Sequence, residues 1–139
     1  MDKILKYLIY EEHKLIIEFA SGKIDLIDFI ELKKSEISDP RYNPNYDFIV
    51  DIRNADIEVL NNVEVEISKY VDFAKSTPNL LSNRKSALIT NTPLQVVAMT
   101  LYKYFGSLPM RLEIFTTYEA ALNWLGRNDF KVDTTELMI

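Results

Sequence analysis

Phe48-Ile49-Val50-Asp51-Ile52 is the stretch on which the fold turns. It is short, β-branched and nearly continuous in hydrophobicity, the pattern of a strand buried on both faces of a parallel sheet. Parallel neighbours need crossover connections, so helices are expected on either side of it. Upstream, Arg41-Tyr42-Asn43-Pro44-Asn45-Tyr46 is a proline-punctuated loop. Before that loop, Asp25 is a good N-cap and Asp28 sits where the helix dipole favours negative charge. Leu26, Phe29, Ile30 and Ile37 then give an apolar side to a first helix, which Ser38-Asp39-Pro40 ends. Further back, Ile4–Tyr10 and Leu15–Ala20 are two apolar runs separated by Glu11-Glu12-His13, which predicts an antiparallel hairpin. Ser21-Gly22-Lys23 is read as the break after its second strand.

Downstream, Arg53-Asn54-Ala55-Asp56 reads as a polar connection. Val63, Ile67, Tyr70, Val71 and Ala74 form one stripe of a helix over roughly 62–76. The stretch 77–85 reads as a long loop, and Ala87-Leu88-Ile89 as another buried strand. Thr92-Pro93-Leu94-Gln95 is a capping box with proline at the first helical position. Leu94, Val97, Ala98, Leu101 and Phe105 supply that helix's stripe, and Gly106 suits its stop. Met110–Phe115 alternates as a strand, Thr116-Thr117-Tyr118-Glu119 reads as a second capping box, and the last helix ends at Gly126. The order is β-β-α-β-α-β-α-β-α: an α/β fold with a mixed, mostly parallel five-stranded sheet, an N-terminal hairpin and four helices. Residues 1–126 make one domain, and 127–139 are read as a loose, unpatterned tail.

The chain has 139 residues, 47% of them hydrophobic, enough for one continuous core. Its formal charge of -5 argues against nucleic acid, whose binders present a basic face. The basic pairs Lys33-Lys34 and Arg84-Lys85 read as ordinary solvated positions. With no cysteine, thiolate metal sites and cysteine nucleophiles are excluded, and one histidine cannot build a multi-histidine site. No metal or cofactor is expected. No apolar run approaches the ~18–20 residues of a membrane span, and a cytoplasmic protein is expected.

This order of elements resembles STAS domains, and more closely the SpoIIAA-like group of small bacterial proteins. The resemblance is carried by Lys14–Asp25, a strand running through a glycine turn into a helix, by Phe48–Arg53, a central strand ending in Asp-x-Arg, and by Phe115–Leu125, a closing strand and helix. It implies a binding or regulatory role without chemistry, hence a protein partner. It also implies structural kinship with the CRAL-TRIO lipid-binding fold, hence a small apolar or lipid-like ligand. Antagonists of anti-sigma factors in this family carry a phosphorylatable serine at the start of the helix after the central strand. Here that place reads Leu60-Asn61-Asn62-Val63, and Ser68 falls within the helix body, so the phosphoserine switch is not expected.

The candidate binding residues are Arg53, Asn54, Asp56, Asn61, Asn62, Tyr102 and Trp124. The first five follow the central strand, where strand ends and helix starts converge on one edge of an open sheet. A partner-facing surface is expected from Arg53 through Lys69. Tyr102 and Trp124 fall off the main apolar stripes of the last two helices, where Tyr104, Phe105 and Tyr118 also lie, and could line an apolar pocket. A third possibility, an enzyme using His13, Asp51 or Asp56, is weaker. His13 sits in a hairpin turn without a nucleophile beside it, and Asp51 is better explained by pairing with Arg53 or capping local amides. Asp47 has the same plain reading, and Asn91-Thr92 and Thr116-Thr117 are accounted for as caps.

Overall fold

The structure, a computed structural model, describes residues 3–57, 63–77, 84–106 and 110–132, with the backbone alone at 63–64 and 104–106. Strands β1 (Ile4–Tyr10), β2 (Leu15–Ile24), β3 (Asp47–Ile57), β4 (Lys85–Ile89) and β5 (Arg111–Phe115) lie in that spatial order in one sheet. β1 is antiparallel to β2, and the later neighbours are all parallel. Helices α1 (Leu26–Ser38), α2 (Val63–Ser76), α3 (Pro93–Gly106) and α4 (Tyr118–Trp124) follow β2 to β5 in turn. A strand order that advances one step per right-handed crossover puts every connecting helix on the same side. So α1, α2 and α3 share one face, while α4, which leads to no further strand, closes the other. The expected sheet, hairpin and helices are all present.

Side-chain alternation divides the core between these faces. Ile16, Ala20, Phe48, Val50, Ile52 and Leu88 point toward α1–α3. Leu15, Ile17, Phe19, Ile49, Ala87 and Ile89 point toward α4. Phe48–Ile52 is buried on both faces, as its unbroken hydrophobicity requires.

Several boundaries differ from the sequence reading, each for a physical reason. β2 does not break at Ser21, and Arg53–Asp56 are not a connection. The two strands continue as a parallel pair to Ile24↔Ile57, past the end of β4. Pairing passes from Phe19↔Asp51 to Ser21↔Asn54, so Ile52 and Arg53 of β3 together oppose Ala20, a β-bulge. Gly22, at φ 87, accepts a backbone that side chains avoid. Beyond the bulge Ile24, Ala55 and Ile57 are buried while Asn54 and Asp56 are exposed. The free edge of β3 is served by a side chain. Gln95 Nε2 donates to the carbonyls of Ile52 (2.8 Å) and Ala55 (2.9 Å), while its Oε1 accepts from the amides of Asn91 and Thr92.

The capping box at Thr92 and Gln95 is present, since Thr92 Oγ1 accepts from the Gln95 amide. Asp25 and Asp28 form a reciprocal box at α1. At α4 the cap is Thr117, one residue later than expected, accepting from Ala120. The inward face of α3 is also rotated from the expected stripe: Gln95, Ala98 and Met99 are buried, whereas Leu94 and Val97 are 50% and 47% exposed. This helix is apolar nearly all round, so its sequence does not specify a single inward side. Nor is the tail loose as far as Val132. Arg127 donates to the carbonyls of His13, Lys14 and Leu125 and pairs with Asp47 at 2.8 Å. Phe130 packs edge-on to Tyr10 and against His13, and residues 133–139 lie outside the described set.

Candidate functional site

In β2, Glu18 has the same parity as Ile16 and Ala20, so it projects under α1–α3 rather than into water. Lys33 and Glu36 stand one turn apart on the inner side of α1. Lys33 Nζ lies 2.6 Å from Glu18 Oε2 and 3.8 Å from Glu36 Oε2. Glu18 is 1% exposed, Lys33 7% and Arg84 2%, so neither Lys33 nor Arg84 is the solvated position that its sequence neighbourhood implied. Arg84 lies over the Phe48 ring at 4.6 Å and donates to Tyr42 Oη at 2.8 Å, and Lys33 Nζ sits 3.7 Å from the centre of the same Phe48 ring.

Burial disfavours every charge in this cluster, and the neighbours decide which ones survive. For Glu18, burial raises the pKa, but the Lys33 charge and the bonds from Glu36 and Lys33 outweigh it, leaving a carboxylate below its ordinary range. Burial pushes Lys33 down, and Glu18 and Glu36 together return it above its ordinary value. Glu36 goes the other way: burial and the adjacent Glu18 charge hold it well above the usual carboxyl range. Glu36 is therefore the member of the cluster that burial and Glu18 favour in its neutral form. Nearby, Tyr70 and Tyr102 meet edge to face at 5.4 Å, and burial pushes both hydroxyls above their ordinary pKa.

Of these groups, Glu18, Lys33, Phe48, Tyr70 and Tyr102 line a chamber of about 60 Å³ between the sheet and α1–α3. Apart from Ser86 the remaining walls are apolar, with Leu26, Phe29, Val50, Leu88, Met99 and Leu112 among them. A wider open recess of about 860 Å³ runs between α4 and residues 128–132, but its rim residues Glu119, Asn123, Asn128 and Lys131 are exposed.

Of the expected site residues, Tyr102 alone among those described lines the chamber. Arg53 is tied to Asp51, with Nε and Nη2 each donating at 3.0 Å. Tyr118 Oη also donates to Asp51, at 2.8 Å, and the Arg53 guanidinium lies 5.2 Å from the Tyr118 ring. This arrangement fastens α4 to β3, the plain reading of the Asp-x-Arg sequence. Asn54 and Asp56 stand exposed on the β3 extension, and Asn61 and Asn62 lie outside the described residues. Trp124 is on the opposite face, against Phe115 and under Lys85. His13, before β2, is at the other end of the strands from Asp51 and Asp56, so no acid–base set converges. Asp47 holds the Lys85 amide and Arg127.

Sequence reasoning missed Glu18, Lys33 and Glu36. The signal was available: Glu18 interrupts an apolar run at a position whose parity puts it inside, and α1 carries a lysine and a glutamate three residues apart.

No family model matches the chain, and no match was found among curated proteins. A solved structure does match in shape: an uncharacterised protein of the DUF3478 family from Shewanella loihica PV-4, described as having a SpoIIAA-like fold. The likeness covers 88% of this chain and 93% of that one, at a TM-score of 0.56 and 18% identity. Identity that low speaks to architecture alone. The fold is SpoIIAA-like, as the order of elements and the three carrying segments imply.

Proposed function

We propose that this protein is a non-enzymatic binding module that takes a small, largely apolar molecule into the chamber beneath α1–α3 and serves as its carrier or sensor. The observation that carries this reading is the chamber itself. Protein interiors rarely leave voids larger than a water, and a water needs only ~10–15 Å³ in this measure. About 60 Å³, partly open to the surface and walled chiefly by aliphatic, aromatic and methionine side chains, is therefore room for more than a single water. Met99 and Met110, being unbranched, let it widen. A native mass spectrum of gently purified protein should show an added small-molecule mass, and toluene should bind in calorimetry and fail to bind in Met99→Trp. An apo mass together with no toluene binding rejects the reading.

A second reading, a regulatory module docking a protein partner, is favoured by a different feature. Ile27, Val65, Leu94, Val96 and Val97 are exposed apolar residues near the N-termini of α1, α2 and α3, which share one edge of the sheet. That rim adjoins the Arg53–Lys69 surface expected from the sequence. With Asn61 and Asn62 in place of a serine, a phosphoserine switch there is not proposed. Leu94→Glu with Val97→Glu should abolish co-purification of the partner; unchanged co-purification rejects this placement. Both readings suit a cytoplasmic protein.

A further inference from the structure

We propose that the occupant of the chamber is an uncharged molecule with one planar ring and a hydroxyl group, the hydroxyl being read by the Glu18–Lys33 pair. This rests on the ligand-binding reading above and adds the chemical class. The polar wall presents opposite charges side by side, Lys33 Nζ and Glu18 Oε2 being 2.6 Å apart, and both residues border the chamber. A carboxylate has about four lone-pair positions. Lys33, Glu36 and Arg84 all act on Glu18, yet among the described residues neither of its carboxylate oxygens has a well-aligned hydrogen-bond donor, which leaves acceptor capacity toward the chamber.

A ligand carboxylate entering here would face the Glu18 carboxylate, and a ligand ammonium would face Lys33. In a poorly hydrated site each repulsion is strong, and each ionic ligand also loses its hydration. A hydroxyl is donor and acceptor in one atom, so it can donate to Glu18 while accepting from Lys33. The rest of the chamber favours a ring over a chain. Phe29, Phe48, Tyr70 and Tyr102 offer ring edges and faces, and Met99 and Met110 offer sulfur contacts. An apolar cavity of about 150 Å³ accepts benzene, so the chamber, at about 60 Å³, admits at most one ring, and only once Met99 and Met110 swing aside to widen it.

The test uses the full chain titrated calorimetrically with phenol, toluene, benzoate and benzylammonium. Phenol should bind about tenfold or more tightly than toluene, the gain of a hydrogen bond to a charged group. Both ions should bind more weakly than phenol. Glu18→Gln should bring phenol down to toluene's affinity and leave toluene unchanged. Because Glu18→Gln can fail to fold, a second measurement uses the wild-type protein with labelled methionine methyls. Phenol should shift the Met99 and Met110 signals, and Met99→Phe should abolish the binding. Equal affinities for phenol and toluene overturn the hydroxyl assignment and leave the ligand-binding reading standing. A preference for either ion, or phenol shifts that spare Met99 and Met110, overturns it too. No binding by any of the four overturns both.

Discussion

The two faces of the sheet draw on the same strands, yet they are finished differently. Toward α4, the side chains of Leu15, Ile17, Ile49 and Ile89 meet Ala121, Leu122 and Leu125 with the ionic groups kept at the margin. Asp51 is engaged by Arg53 and Tyr118 at one end, and Asp47 by Arg127 at the other. Toward α1–α3, charge lies inside: Glu18, Lys33, Glu36 and Arg84 are all buried, beside a void. The pairs at the α4 margin locate elements cheaply because each keeps a hydrated partner: Asp51 is itself buried, but Arg53 remains about a third exposed, and both Arg127 and Asp47 are partly exposed. Burying a pair costs desolvation that hydrophobic residues of similar size would avoid. A face that carries such a pair next to unfilled space is the one on which the ligand-binding proposal rests.

That contrast can be broken most forcefully at Lys33. Lys33→Met strands Glu18 without its cation and should cost about 3–5 kcal/mol in urea unfolding. Glu18→Leu combined with Lys33→Met should recover most of that loss, and a double variant as unstable as the single would show that the pair is not the issue. On the other face Leu122→Ala, a simple loss of packing, should cost about 2–4 kcal/mol and leave toluene binding by the chamber intact. Its effect should add to that of Lys33→Met within about 0.5 kcal/mol if the faces are independent. Gln95→Ala removes the donors for Ile52 and Ala55 and the acceptor for two amides, for an expected loss of about 2 kcal/mol. The smallest effect is a slope. Glu36 keeps its proton above the ordinary 4.5, so from there upward the folded protein holds a proton that the unfolded chain has released. Stability then falls as pH rises through that window, by at most about 1.4 kcal/mol per unit. Glu18, shifted downward, acts in the opposite sense and only below its ordinary value. Glu36→Gln should flatten the decline above pH 4.5, and melting curves across that range would reveal it.

The architecture was legible because its signals are local. Unbroken apolar runs, the caps at Asp25 and Thr92 and the short polar interruption after Tyr10 each act within a few residues. What escaped depends on distant partners. Arg53–Asp56 looked like a loop because nothing nearby pairs them, and their partners are β2 and the side chain of Gln95, about forty residues away in sequence. α3 was rotated in the reading because apolar residues occupy both of its sides. The site was legible only at Tyr102. Lys33 and Arg84 read as solvated because a buried cation is recognised by its counter-charge or ring, and those lie on other elements.

Gln95 has one more consequence. Where β4 stops, β3 runs on alone along one side, and an open row of main-chain groups is a template on which another polypeptide can add itself. The Gln95 carboxamide imitates the missing rung from within the molecule, so the longest strand of the sheet ends sealed rather than adhesive.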